Sequence, residues 1–174
     1  AHVLESLVGL PQGTPVSKTI AAFVQKYQPP KYLQALAITN GKQPAHLCWF
    51  GSTGSATEPW QIFTLPIPKL DTSNSDDKVV LYPIGAGDAV AAGTLAAWMN
   101  LQTNAAPVPP SCREMLLARV QSLQEQRQLS EEASRVMASF SFGLACGSAS
   151  CLQEENSVLQ VNDVLRLFND IGCE

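Results

Sequence analysis

From residue 89 to residue 112 the sequence carries no Asp, Glu, Lys or Arg. Asp88 is the last charge before the gap and Arg113 ends it. The first part of that stretch, residues 87–100, is rich in alanine and apolar on nearly all sides. A helix of that kind has no solvent face and is expected to be buried. Burial needs further layers of structure around it. A chain of 174 residues, 45% apolar and only 15% charged, has the material to build them as one domain with a real core.

The segments on either side supply candidates. Thr14 can cap, and Pro15 can open, a helix whose stripe is Ile20, Phe23, Val24 and Tyr27 and which Pro29 and Pro30 stop. Residues 33–39 and 45–50 read as strands joined by a turn in which Asn40-Gly41 supplies a positive φ. Residues 60–68 and 79–84 read as two more strands, with small-residue and polar loops at 51–59 and 71–78. After the helix at 87–100, Ser111 and Glu114 form a capping box for a helix to about Gln128. Ser130 caps the next, with Glu131 and Glu132 at its positive end and Ser148 near its finish. A short amphipathic helix covers 161–170. The order predicts a layered α/β fold, not a bundle, with residues 1–174 as a single domain.

Composition excludes several function classes. The net charge is −4, the pI is near 5.1, and Lys and Arg form no cluster, which argues against a nucleic-acid partner. No apolar run is long enough to span a bilayer, so no membrane role is expected. The opening AHVLESLVGL lacks a basic segment and contains Glu5, unlike a signal peptide. It does not begin with Met, so a processed or truncated chain is expected. The five cysteines show no CxxC, and the only histidines are His2 and His46, so no zinc pattern exists. Free thiols in a reducing compartment, cytoplasmic or organellar, are the expectation. His46 and the three tryptophans read as packing residues, Asp76 and Asp77 as solvated loop charges.

Chemistry concentrates at G-A-G-D, residues 85–88. Two glycines between a strand and a helix permit a tight turn. The helix then points its first amides, and the positive end of its dipole, above the strand end. An acid there repels a bound phosphate. It makes sense if the carboxylate takes a proton from a hydroxyl while the amides hold a phosphoryl group in transfer. The plainer alternative is that Asp88 only caps the helix. No G-K-[ST] follows, so this is not a Walker A loop, and Val90 occupies the third glycine position of a dinucleotide-binding fingerprint.

GAGDAVAAG (85–93) resembles the signature of the ribokinase-like, or PfkB, family of carbohydrate and nucleoside kinases. ALAITNGKQPAHL (35–47) is similar to the family's strand and T-x-G turn. AHVLESLVGL (1–10) is similar to its N-x-x-E segment, with Gly9 near the usual following glycine. The order of the three agrees, and the match covers essentially the whole chain as the C-terminal, nucleotide-binding part of a longer family member. The resemblance implies a ribokinase-like α/β/α fold, a sheet flanked by helices. It further implies Asp88 as the base that deprotonates the acceptor hydroxyl and Gly85, Ala86 and Gly87 as the anion hole. Thr39 and Gly41 match the turn along the nucleotide, and Glu5 the acid that organises Mg²⁺ through water. ATP and Mg²⁺ would be the cofactors, a small sugar or nucleoside the substrate, and the N-terminal half or another subunit the partner.

Several family positions are changed. His2 replaces the Asn of N-x-x-E, Pro44 the second Gly of the turn, and Tyr82-Pro83-Ile84 the usual D-T-T. Val90 replaces an aromatic, and Phe142 stands near the position of an adenine-contacting Asn. The changes motivate a second expectation, a non-catalytic PfkB-like scaffold or subunit. A kinase of the pyridoxal or hydroxymethylpyrimidine type, which also uses a glycine-flanked acid, is a third.

Overall fold

A computed structural model describes residues 1–27, 32–51, 60–68, 70, 81–103, 108–155 and 158–171. Among them the chain is mixed α/β, with six helices and one three-stranded antiparallel sheet. It divides into two compact units, Ala1–Pro66 and Ile67–Gly172.

The first unit holds α1 (His2–Val8), α2 (Val16–Tyr27), β1 (Ala35–Asn40), β2 (Gln43–Trp49) and β3 (Gln61–Leu65). The sequence reading did not anticipate α1. It closes in a Schellman arrangement around Gly9 at φ 78°, with Leu10 N–H donating to Glu5 O at 2.9 Å and Gly9 N–H to Ser6 O at 3.2 Å. Thr14 does not cap α2. Its hydroxyl donates to Pro11 O at 2.6 Å, and the first helical bond runs from Thr19 N–H to Pro15 O. Pro15, one residue later, is the residue that directly precedes the helix.

The turn at Asn40-Gly41 is a tight hairpin, with Asn40 paired to Gln43 and Gly41 at φ 57°. β2 begins at once and takes in Pro44. That proline sits beside the register shift between Ile38 and Asn40, before pairing with β3 starts at Ala45. β3 is shorter than expected because Pro66 follows it. The core gathers Ile20 with Ile38 and Cys48, against which Leu4, Val16, Val24, Leu36, Phe50, Trp60 and Ile62 pack. Residues along each strand alternate between the two sheet faces, and Ala45, Leu47, Trp49, Phe63 and Leu65 on the other face are buried as well.

The second unit is helical: α3 (Ala86–Thr103), α4 (Pro110–Arg127), α5 (Glu131–Ser150) and α6 (Val161–Asp170). α5 is its axis. Every residue from Met137 to Ser150 is buried, and α3, α4 and α6 all pack on this helix. Three of its serines satisfy themselves inside the core, Ser139, Ser141 and Ser150 donating to Arg135 O, Met137 O and Gly147 O at 2.8, 2.9 and 2.9 Å, whereas the buried Ser134 hydroxyl has no partner among the described residues. Ser130 caps α5 as expected, accepting from Ala133 N–H at 3.2 Å. The capping box expected for α4 does not form. Pro109 is the N-cap and Pro110 the first helical residue, so Ser111 already lies inside the first turn. Phe168 and Leu167 anchor α6, whose last carbonyls at Phe168 and Ile171 accept from Arg119 at 2.9 and 2.6 Å.

Two further expectations are corrected. Of the strand expected at 79–84, residues 79 and 80 lie outside the described residues, and Leu81–Ile84 is not a strand. Pro83 has no amide to give a ladder, and Tyr82 N–H donates to Cys151 O at 2.9 Å. α3 is not buried all round. Ala89, Gly93, Ala97 and Leu101 face inward, whereas Leu95 and Met99 are 58% and 46% exposed. A charge-free helix and a buried one are different things, because alanine tolerates either environment. Among the described residues no helix is long and apolar enough to cross a membrane. Pro29, Pro30, Asp76, Asp77, Cys173 and most of the loops expected at 51–59 and 71–78 lie outside the described residues.

Candidate functional site

The turn Gly85–Asp88 starts from a backbone that only glycine adopts cheaply. Gly85 has φ 83°, in the left-handed region, and its carbonyl accepts the first helical bond of α3 from Ala89 N–H at 2.9 Å. Ala86, Gly87 and Asp88 are then the first three helical residues, whose amides have no acceptor within the helix. The Ala86 amide donates to Pro83 O at 3.2 Å. Those of Gly87 and Asp88 have no acceptor among the described residues. Asp88 itself is exposed, and its carboxylate makes no hydrogen bond or ion pair among the described residues. A side chain at Gly87 would meet nothing within 4 Å, so nothing packs against that position.

What holds the turn is α5, which runs antiparallel to α3 at very short range. The approach is possible because three facing positions lack a side chain. A Cβ on Gly93 would lie 2.7 Å from Cys146 Sγ, and one on Gly143 would lie 2.5 Å from Val90 O while colliding with Thr94 Oγ1. One on Gly147 would collide with Val90 and lie 2.9 Å from Ala86 O. The spacing Gly143-x-x-x-Gly147 was visible in the sequence, but that reading did not use it.

The residues matched to other roles lie in the first unit. Glu5 is on α1 and only 3% exposed. Its Oε1 accepts from Gly13 N–H at 2.9 Å, and its Oε2 lies 3.1 Å from His2 Nδ1, which donates when the proton is on that nitrogen. The hydrogen bond from His2, helped by Gly13 N–H, holds its carboxyl below the usual glutamate value against the opposing effect of burial. Both oxygens are thus engaged, Oε1 by the loop that precedes α2 and Oε2 by His2 within α1 itself. That arrangement does not fit a carboxylate holding metal-bound water. Thr39 and Gly41 are exposed at the β1–β2 hairpin, where the Thr39 carbonyl accepts from the Ala1 nitrogen at 2.8 Å. Among the described residues no group of three or more His, Cys, Asp or Glu side chains gathers to hold a metal.

Other polar candidates are accounted for by packing. His46 lies between Ile38 and Thr64 across the sheet, its Nδ1 3.3 Å from Thr64 Oγ1, and burial lowers its pKa. Cys48, Cys112, Cys146 and Cys151 are free thiols. Burial pushes Cys48 up to about 12, and burial with the neighbouring Cys112 does the same for Cys146, so neither is a nucleophile. Phe142 is buried, edge-on to Phe168 with ring centres 5.6 Å apart. No protein-family model matches the chain, and no curated protein matches it in sequence.

Proposed function

We propose that the chain is the nucleotide-binding part of an ATP-dependent phosphotransferase, of the ribokinase-like PfkB type, that phosphorylates a hydroxyl of a sugar or nucleoside. The observation that carries the reading is an exposed carboxylate in the first turn of α3 beside open helix-terminal amides. Asp88 would accept the proton of the attacking hydroxyl. Of the expected anion hole Gly85–Gly87, the Ala86 amide is taken by Pro83 O, so the Gly87 amide, with that of Asp88, would face the charge that develops on the transferring phosphoryl group. ATP would be bound as its Mg²⁺ complex, in which the metal would supply neutralisation of phosphate charge. Such a role suits a reducing compartment, cytoplasmic or organellar.

A second reading has its own support. Glu5 is engaged on both oxygens, and Phe142 is spent on the contact with Phe168. These placements favour a catalytically degenerate relative that serves as a scaffold or subunit. Calorimetric titration of the full-length protein with ATP·Mg²⁺, together with transfer of labelled γ-phosphate to a panel of sugars and nucleosides, separates the two. Binding with transfer that Asp88→Asn abolishes supports the kinase, and absence of both supports the scaffold.

A further inference from the structure

The last turn of α5 touches the Gly85–Asp88 turn at both of its ends. On the entering side, Tyr82 N–H donates to Cys151 O at 2.9 Å. On the helical side, Gly147 lies against Ala86 so closely that a Cβ would stand 2.9 Å from the Ala86 carbonyl oxygen. That gap is shorter than real Cβ contacts, and the neighbour is backbone, which cannot swing aside as a side chain can. Between these two points run Pro83, Ile84 and Gly85, with the left-handed φ of 83° at Gly85. The supporting turn is itself stiffened. Gly147 O accepts from Ser150 Oγ at 2.9 Å and from Cys151 Sγ at 3.3 Å.

We infer that Gly147 is a positioning residue: by lacking a side chain it sets where the first amides of α3, and with them Asp88, stand. Its significance for phosphoryl transfer rests on the function proposed above, whereas the positioning itself can be measured without that reaction. Gly147 need touch no substrate. It fixes the height of the Ala86 peptide over α5, while the Tyr82–Cys151 bond fixes the approach of the chain into the turn. An added methyl must displace the Ala86 peptide by a few tenths of an ångström to reach ordinary contact, and the rate of a reacting group falls on the order of 10²-fold for about 1 Å of misplacement.

The test compares wild type, Gly147→Ala, Val90→Ala and the double variant. A methyl on Gly147 meets two neighbours, the Val90 side chain and the Ala86 carbonyl. Removing the Val90 methyls relieves the first conflict and leaves the second. In Gly147→Ala the ¹H–¹⁵N resonances of Gly87 and Asp88 are expected to move, the melting temperature to fall, and γ-phosphate transfer from ATP to ribose or uridine to drop at least about tenfold. In the double variant the melting temperature is expected to return toward that of Val90→Ala, while the Gly87 and Asp88 resonances stay displaced and transfer stays at least tenfold down. Recovery of the resonances and of the rate in the double variant would overturn the inference and leave Gly147 an ordinary packing residue. If wild type transfers no phosphate but the resonances stay displaced in the double variant, Gly147 still positions the turn and it is the kinase reading that fails. Wild-type resonances in Gly147→Ala would overturn the inference whatever the rate.

Discussion

Glu5 and Asp88 are both acids in the first turn of a helix, and the structure uses them in opposite ways. Glu5 is buried, with His2 on one oxygen and Gly13 N–H on the other. Asp88 is exposed and has no partner among the described residues. A carboxylate that answers to its neighbours holds a fold together. One that answers to none contributes little to the fold beyond its interaction with the helix dipole, and is free to answer to a ligand. Substitution should therefore separate the two, with chemistry lost at one acid and stability at the other.

The largest effect is expected at Asp88. Asp88→Asn keeps size and polarity but cannot take a proton, so turnover should fall by about 10³-fold, within the range that a positioned base supplies. ATP·Mg²⁺ affinity, read by calorimetry, should stay within about threefold, and the melting temperature within about 2 °C, as for a surface change away from packed features. A marked loss of stability with transfer intact would reverse the contrast and make Asp88 the structural acid.

Next in size are the glycines around Asp88, which do not share one purpose. Gly143→Ala forces a methyl to within 2.5 Å of Val90 O and into Thr94, and overpacking of that kind should cost about 2 kcal/mol in urea unfolding. Gly87→Ala meets nothing within 4 Å and gains helix propensity, so it should be neutral or up to about 1 kcal/mol stabilising. If both variants destabilise equally, the α3–α5 contact is not what supports the turn.

How far the sequence disclosed this arrangement depends on the range of the interaction that decides each element. Ser130 and Ala133 are neighbours in the chain, and that cap was legible. Gly41 needs only its own hairpin, and was legible too. The N-terminus of α4 was misread because Ser111 and Glu114 satisfy a local pattern that Pro109 and Pro110 pre-empt one residue earlier. The exposed face of α3 was missed because alanine and the absence of charge do not say which side faces a neighbour. Gly85 and Asp88 could be picked out as a motif, but the support from Gly147 and Cys151 O comes from a helix some sixty residues further along the chain, and only packing discloses it. The two serines make a check at smaller scale. Ser130→Ala should cost about 1 kcal/mol, whereas Ser111→Ala, which loses no cap, should leave unfolding nearly unchanged. Equal costs would mean that α4 frays to an alternative start in solution.

The smallest effect, and the one that completes the comparison, is expected at Glu5. Glu5→Gln retains an acceptor for Gly13 N–H but loses the charge that His2 and that amide favour. The folded carboxyl titrates below the ordinary value of 4.5. Its stabilising contribution is therefore fully present above the unfolded pKa and disappears as pH falls through the lower folded one. At pH 7 the variant should melt below wild type and exchange its Gly13 amide faster. As pH falls below 4.5 the wild-type advantage should shrink, and the two proteins should converge once the wild-type carboxyl is protonated. A gap that persists at pH 2 would show that shape, not charge, is what Glu5 supplies.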